Sequence, residues 1–344
     1  MFESLATIPL FAVFAVAGLV VIAASIRATK LADTIADRTH MGEAMAGGVV
    51  LGGATSLSGV VVSVTGAWSG DASFAFSNAV GGIAAQTLFL ALADLIYRKA
   101  NLEHAAAEPA NMFQAVMLLI LLSMPIAAMA GPDVAYFGIH PASVVLFLAY
   151  LWGVRLSTSV RERPMWEPVE TNETRHDEPE DADESDRSPR GPILVFAGLV
   201  ALMGAAGWVI SNVGSQFIDR YGLTSSLVGS LITAVVTSLP ELVTTLVAVR
   251  RGALQLAVGG IIGGNTFDTL FLVFSDVAYR DGSLFHAVGM QDLYWLATGM
   301  LMTAILLGGL ILRQKQGPAR IGIESALMIT FYGLAVAVEV FARA

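Results

Sequence analysis

The sequence contains no cysteine in 344 residues, and only 14% of its residues are Asp, Glu, Lys or Arg. The missing cysteine excludes disulfides, thiolate catalysis and Cys-ligated metals. The five histidines share no metal-ligand spacing, and no nucleophile stands at a useful distance from a base, so we do not expect an enzyme. Hydrophobic residues make up 55% of the chain and the mean hydropathy is +0.69, which is typical of a polytopic membrane protein.

Acidic residues are concentrated between Glu167 and Asp186, where ten acids and one base, Arg175, account for the net charge of -9, and this run lies within the longer polar stretch 155–191. This stretch is polar and contains several prolines, so it predicts a disordered cytoplasmic linker. The linker separates residues 1–154 from residues 192–344, and each flanking part is expected to form one bundle of five transmembrane helices. A solvated spacer explains the acidic composition more simply than a site for cations or a regulator.

Ten apolar segments are long enough to cross a hydrocarbon core of roughly 30 Å as helices. With the N-terminus outside, all but three of the 19 basic residues fall in inner loops, as the positive-inside rule requires. The expected fold is therefore an all-α membrane protein with ten transmembrane helices. We expect it in the cell (inner) membrane, with both termini outside and the linker in the cytoplasm.

The two halves repeat one another. A shift of 182 residues superposes Thr55-Ser56-Leu57 on Thr237-Ser238-Leu239 and Gly81-Gly82 on Gly263-Gly264, without a gap. Because five spans is an odd number, the two copies enter the membrane from opposite sides. Transporters built from such inverted repeats hold their ions near the bilayer midplane, on interrupted helices where the halves meet. The glycine pairs are expected to mark such interruptions.

Two carboxylates lie inside apolar segments of the second half, Glu241 and Asp268. A carboxylate within a membrane span is expensive unless it binds something, so both predict a functional site. Pro240 has no amide hydrogen, and the carbonyl of Val236, four residues earlier, loses its helical partner. Free carbonyls and carboxylates are hard oxygen ligands, which suit alkali and alkaline-earth cations.

The stretch TSLPELVTTLVAVRRG, followed by GGIIGGNTFD, resembles the second alpha-repeat of the sodium/calcium exchanger superfamily. The resemblance implies alternating access, with ions bound between the second, third, seventh and eighth spans while the first and sixth spans slide. It implies that Glu241 is a principal cation ligand and that Asp268 is the acidic position of the adjoining helix. Thr237 and Ser238 match ion-contacting positions.

The first repeat departs from the family pattern, since Ser58-Gly59 stands where the family has Pro-Glu. Both carboxylates then come from one half, and divalent affinity generally falls with fewer charged ligands. The implied function is a cation antiporter, with calcium and sodium as the expected cargo and no cofactor. A cation/proton exchanger with altered selectivity and a non-transporting membrane sensor remain alternatives. The expected partners are these ions and the lipid bilayer, with no nucleic acid.

Three further residues are candidates for the ion site. Gln86 and Asn265 could each supply an amide oxygen, although hydrogen bonding between helices explains them equally well. A backbone carbonyl near Thr55 would complete the shell from the first half. Outside the site, Asp94 and Asp276 each precede an arginine by four residues, the spacing of a helical ion pair.

Overall fold

The computed structural model describes residues 2–39, 52–97, 99–172, 174, 190–317 and 321–341. Within these ranges the chain is helical, joined by turns, and its one β-type pairing is an isolated bridge between Tyr136 and Ile139. A π-helical turn, Val228–Thr233, lies between two short α-helices, Ser225–Leu227 and Ala234–Thr237. In chain order, the α-helices are α1 (Thr7–Thr39), α2 (Gly52–Thr55), α3 (Leu57–Trp68), α4 (Ala72–Ile96), α5 (Leu102–Ala105), α6 (Pro109–Ala130), α7 (Pro141–Glu162), α8 (Arg190–Tyr221), α9 (Ser225–Leu227), α10 (Ala234–Thr237), α11 (Leu239–Arg251), α12 (Leu254–Asp268), α13 (Leu270–Ala278), α14 (Leu284–Ala287), α15 (Met290–Leu312) and α16 (Ile323–Phe341).

Eight spans in the described ranges are long and apolar enough to cross a membrane. A ninth crossing consists of two helical pieces, 225–237 and 239–251, that meet at a bend of 43°. The second predicted span, 42–67, begins outside the described residues and is seen only from α2 to the end of α3. Of the predicted linker, 155–191, the first eight residues belong to α7 and the last two to α8, while residues 173 and 175–189 lie outside the described residues.

The crossings differ in how deeply they are buried. In α4, 78% of the most apolar window is buried, and in the crossing formed by α12 and α13 the share is 72%. The corresponding shares are 33% in α1 and 22% in α8. The third and eighth spans therefore form the centre of the bundle, while α1 and α8 lie outside and are available to lipid.

Both discontinuous helices break at equivalent residues of the two repeats. α2 ends at Thr55 and α3 begins at Leu57; α10 ends at Thr237 and α11 begins at Leu239. The single residue between the pieces, Ser56 or Ser238, has ψ close to zero (-3° and -2°). Proline follows the break only in the second repeat, at position 240, where the first repeat has Ser58. The break is thus a property of the repeat and does not depend on proline.

The expectation that the glycine pairs interrupt their helices is wrong. α4 continues through Gly81-Gly82, and α12 continues through Gly263-Gly264. At Gly81 a Cβ atom would lie 2.4 Å from the Cα of Ser230, so the missing side chain lets α4 touch the π-helical turn. At Gly81 the glycine therefore serves close packing between helices and does not interrupt its own helix.

Asp94 and Asp276 cap the helix ends of the opposite repeat. Asp276 accepts hydrogen bonds from the backbone N–H of Leu284 (3.0 Å) and of His140 (2.8 Å), and from the hydroxyl of Ser143 (2.6 Å). The bonds to 140 and 143 fix the start of α7. The helical ion pair expected for Asp276 is therefore wrong, because its carboxylate is directed at these donors.

Asp94 makes the equivalent contacts at the other end of the bundle. It accepts from the backbone N–H of Leu102 (2.7 Å) and of Gly322 (3.1 Å), and it interacts with Ser325, the repeat counterpart of Ser143. Arg98, its expected partner, is outside the described residues. Each repeat thus holds the last span of the other, which joins the two halves into one core.

We expect Asp276→Ala to destabilise the protein, because three donors at the start of α7 and α14 would lose their acceptor. Each buried donor left unpaired costs about 1–3 kcal/mol, so the sum is at least about 3 kcal/mol. Thermal unfolding in detergent measures the effect. Asp281→Ala, at an exposed neighbouring position, is the control. Equal melting temperatures for Asp276→Ala and wild type would contradict the capping role.

Candidate cation site at the repeat interface

The two carboxylates singled out in the sequence lie together in the centre of the bundle. Glu241 is in the first turn of α11, directly after the break, and Asp268 is the last residue of α12. Their side chains are 6% and 1% exposed, and the Asp268 carboxyl acts electrostatically on Glu241. Both breaks therefore bring helix termini to the same buried region, as the inverted-repeat pattern predicts.

Asp268 pairs with its own repeat counterpart. The amide nitrogen of Gln86 donates to Oδ2 of Asp268 at 2.6 Å, and the two positions are 182 residues apart. Two equivalent residues can contact each other only where the repeats meet, so this bond marks the pseudo-two-fold axis. The same amide nitrogen also donates to the Ser238 hydroxyl at 3.2 Å, while Ser56, the counterpart of Ser238, interacts with Asp268.

Glu241 is held differently from Asp268. Neither of its carboxylate oxygens has a hydrogen-bond partner that meets normal geometry, although Thr55 lies close enough to interact. A buried carboxylate without protein donors is costly, because burial removes hydration that no hydrogen bond from the protein replaces. Such a carboxylate would be stabilised by a positive charge or by a proton.

Further oxygens near the two carboxylates are also unpaired. Oδ1 of Asp268 and Oε1 of Gln86 have no hydrogen-bond partner, and the Gln86 oxygen would lie 3.4 Å from a Cβ placed on Gly264. Asn265 donates to the Thr87 hydroxyl at 3.0 Å and leaves its own oxygen unpaired. Carboxylate and amide oxygens are the ligands preferred by hard cations.

Three further predicted residues, Val236, Thr237 and Thr55, lie at or next to the two breaks. Thr237 donates its hydroxyl to the carbonyl of Thr233, the last residue of the π-helical turn, at 2.9 Å. Val236 packs its side chain against α1, where a Cβ on Gly18 would lie 2.8 Å from it. Thr55 is 7% exposed and ends α2 beside Glu241. Among the described residues, no group of three His, Cys, Asp or Glu side chains could hold a metal ion.

In the first repeat, an aromatic ring occupies the place that corresponds to Glu241. A Cβ on Gly59 would lie 2.6 Å from Cε2 of Phe271, which is buried at 3% exposure. The sequence showed the missing carboxylate but gave no sign that Phe271 fills its space. Both carboxylates of the site therefore come from the second repeat, and an aromatic ring lies where the first repeat would place its own.

Asn78 is a buried polar residue near the site that the sequence reading passed over. It donates to the Gly59 carbonyl (3.2 Å) and to the Ser63 hydroxyl (2.9 Å), and it accepts from Thr233 (2.7 Å). These contacts tie α3 to the π-helical turn. Because both its nitrogen and its oxygen are used, Asn78 holds the helices of the site in place. An asparagine inside an apolar span was the available signal.

The outer helices approach both breaks through glycine. On α8, a Cβ on Gly207 would lie 2.6 Å from the carbonyl oxygen of Ser58, two residues after the first break. On α1, Gly18 approaches Val236, two residues before the second break. Because glycine has no side chain, these contacts bring the two peripheral helices against the residues that flank the breaks.

Comparison with known proteins gives a consistent result. The family model for "Sodium/calcium exchanger protein" matches residues 9–157 and 190–341. The putative antiporter CaxA of Alkalimonas amylolytica is 26% identical over 278 residues, covering 80% of this chain and 82% of the relative. The inner membrane protein YrbG of Escherichia coli is 24% identical over 270 residues, with 77% of each chain covered.

Two solved structures share the fold. The sodium-calcium exchanger NCX_Mj superposes with a TM-score of 0.62 and 17% identity, covering 96% of this chain and 98% of the other. The H+/Ca2+ exchanger CAX superposes with a TM-score of 0.62 and 14% identity, covering 96% and 88%. These matches confirm the predicted fold of ten transmembrane helices in two inverted repeats. On the match to its family model, the chain belongs to the sodium/calcium exchanger protein family.

Proposed function

We propose that this protein is a cation antiporter that works by alternating access, with its ion site at Glu241 and Asp268. The observation that carries the proposal is the pair of unpaired Glu241 oxygens, buried beside Asp268 at the meeting point of the two repeats. A bound cation would supply the positive charge that the described surroundings lack. The proposed shell adds Gln86, Asn265, the Ser238 hydroxyl and carbonyls near Val236, Thr237 and Thr55.

Charge counting favours the binding of one divalent ion, or of at most two monovalent ions, at a time. Two carboxylates neutralise a single calcium ion, and neutral oxygens complete its usual six to eight ligands. Both charges lie on the second-repeat side, while Phe271 closes the opposite side. We therefore expect weaker calcium binding than a cage with one glutamate from each repeat would give.

The packing of α1 and α8 suggests how the site opens. Both helices are peripheral and contact the breaks through small residues, and all side chains proposed for the shell except Val236 are at most 7% exposed. Sliding of α1 and α8 over the core would uncover the site on one side at a time. The symmetric Asp94 and Asp276 caps would keep the core rigid during this movement.

We further propose that the protein resides in the inner membrane as two five-helix halves, residues 1–154 and 192–344. Residues 155–191 would form the cytoplasmic linker between them, and both termini would lie outside. The Lys/Arg distribution supports this orientation, because it leaves three basic residues on the outer side.

A second candidate is a cation/proton exchanger. Glu241 and Asp268 are adjacent carboxyls, and such a pair can take up a proton when the cation leaves. The fold matches NCX_Mj and CAX with equal TM-scores, so the fold does not choose between sodium and protons.

Calcium uptake into proteoliposomes, driven separately by sodium and proton gradients, tests the proposed transport. We expect purified protein alone to carry calcium under at least one gradient, because the site is complete within one chain. Dependence on a pH gradient without sodium would identify the proton exchanger. No gradient-driven flux of any cation would overturn the antiporter and favour a membrane sensor.

We expect Glu241→Gln to reduce ion-dependent transport at least 100-fold, because it removes half of the negative charge and leaves an amide facing the ion. Initial rates in proteoliposomes measure the loss, and thermal unfolding verifies folding. Glu162→Gln, at an exposed position at the end of α7, serves as the matched control. Transport by Glu241→Gln at the wild-type rate would refute the assignment.

Gly59→Glu restores the missing carboxylate but collides with Phe271, so we expect the single variant to be less stable than wild type. The double variant Gly59→Glu/Phe271→Ala should fold and bind calcium about tenfold more tightly, equivalent to about 1.4 kcal/mol. Calcium-dependent shifts in melting temperature measure affinity, with Phe271→Ala as the control. Unchanged calcium affinity in a folded double variant would show that the missing charge does not limit binding.

A further inference from the structure

A second group of buried carboxyls lies at one end of the bundle, away from Glu241 and Asp268. Glu103, on the short helix α5, is 0% exposed; Asp94, near the end of α4, is 1% exposed; and Glu324, at the start of α16, is 4% exposed. These elements meet at one end of the bundle, where Asp94 caps both α5 and α16. The transport proposal uses none of these three groups as a ligand.

The three carboxyls differ in the hydrogen bonds that they accept. Asp94 is occupied by the backbone donors of Leu102 and Gly322. Neither oxygen of Glu103 has a donor, and Oε1 of Glu324 has none. The Asp94 carboxyl bonds the backbone of Leu102, next to Glu103, and of Gly322, two residues before Glu324, so the two glutamates lie close together, and the Glu324 carboxyl acts directly on that of Glu103. Two carboxylates cannot hydrogen-bond, since each only accepts, so this contact needs a proton between them.

Cationic groups in the described surroundings point elsewhere. Arg313, at the end of α15, donates to the carbonyls of Val169 (2.6 Å) and His104 (3.4 Å). The His104 ring contacts the Arg313 carbonyl (2.6 Å) and Thr171 (2.9 Å). Among the described residues, the charges that act on the Glu103 carboxyl are those of Asp94 and Glu324. On α12, which also packs against α5, the one charged residue is Asp268 at the far end.

The opposite end of the bundle shows what the fold itself requires. The repeat counterpart of Glu103 is Phe285, buried at 1% exposure, and the counterpart of Glu324 is Ala142. The aspartate cap occurs at both ends, whereas the carboxyl pair occurs at one. An apolar pair is therefore sufficient for packing, and the two glutamates have a property that packing does not need.

We propose that Glu103 and Glu324 bind one proton between them, and that this proton fastens α5 to the start of α16. Burial, with the Asp94 and Glu324 carboxyls adding to it, raises the pKa of Glu103 well above its usual range. Loss of the proton would leave three negative charges buried together. The junction between the third, fourth and tenth spans would then loosen as pH rises.

The sign of the pH dependence follows from proton linkage. In the unfolded chain Glu103 releases its proton near its reference pKa of about 4.3, whereas the folded protein retains it to higher pH. The folded state thus binds more protons over that interval, and stability falls as pH rises through it. Glu103→Gln keeps a neutral donor facing Glu324 and removes the titration.

The test compares melting temperatures in detergent from about pH 6 to about pH 9, in a Glu241→Gln background that removes one carboxyl of the ion site. We expect the fall in melting temperature with pH to shrink by at least half in Glu103→Gln. Glu103→Phe/Glu324→Ala, which copies the apolar pair of the other end, should also flatten the profile. Glu167→Gln, at an exposed position, should keep the full slope.

Infrared spectroscopy provides a second readout, which reports the protonated carboxyl itself and not the stability of the protein. The protein with Glu241→Gln should show a protonated-carboxyl band at neutral pH that is lost at alkaline pH and is diminished in Glu103→Gln or Glu324→Gln. A parallel pH slope in the folded glutamine and apolar variants would overturn the proposal. A stabilisation by calcium or magnesium that Glu103→Gln abolishes would also overturn it, since the ligand would then be a metal ion.

Discussion

A carboxylate inside a bundle of apolar helices must be matched by donors, a cation or a proton, and this constraint explains how the acidic residues of the core are arranged. Asp94 and Asp276 are matched by backbone N–H groups at helix starts, and those bonds join each repeat to the last span of the other. Asp268 is matched in part by Gln86. Glu241 is left without a well-formed hydrogen bond, and it is the group that an ion would complete.

The pseudo-two-fold axis explains why these arrangements occur in both repeats. Positions that differ between the repeats are exceptions to it. Chain breaks, aspartate caps and the contacts of Ser56 and Ser238 are related by the same shift along the chain. Function is expected where the symmetry is lost, because packing requirements are equal at both ends. The two clearest losses are Gly59 against Glu241, with Phe271 filling the empty place, and the Glu103–Glu324 pair against Phe285 and Ala142.

Two sequence patterns marked residues that matter to the structure, but the physical role expected for them was wrong. Glycine pairs in α4 and α12 looked like interruptions because glycine lowers helix propensity, but both helices continue through them, and at Gly81 the missing side chain allows close approach. Asp276 looked like one half of a helical ion pair because of its spacing to Arg280. Donors from a different repeat, more than 130 residues away, take its carboxylate instead, and no local pattern could show them.

The sequence by itself determined the class of protein, the approximate spans, the duplication and the two carboxylates, since hydropathy, repeat identity and buried charge are properties that residues carry wherever they lie. Tertiary structure decided which oxygens remain unpaired and that Gln86 meets Asp268 on the axis. It also decided that the ring of Phe271 occupies the place of the carboxylate missing at position 59. These features depend on distances between segments far apart in the chain. Such distances are fixed only when the helices pack, because packing brings donors, rings and carboxyls into contact irrespective of their separation in sequence.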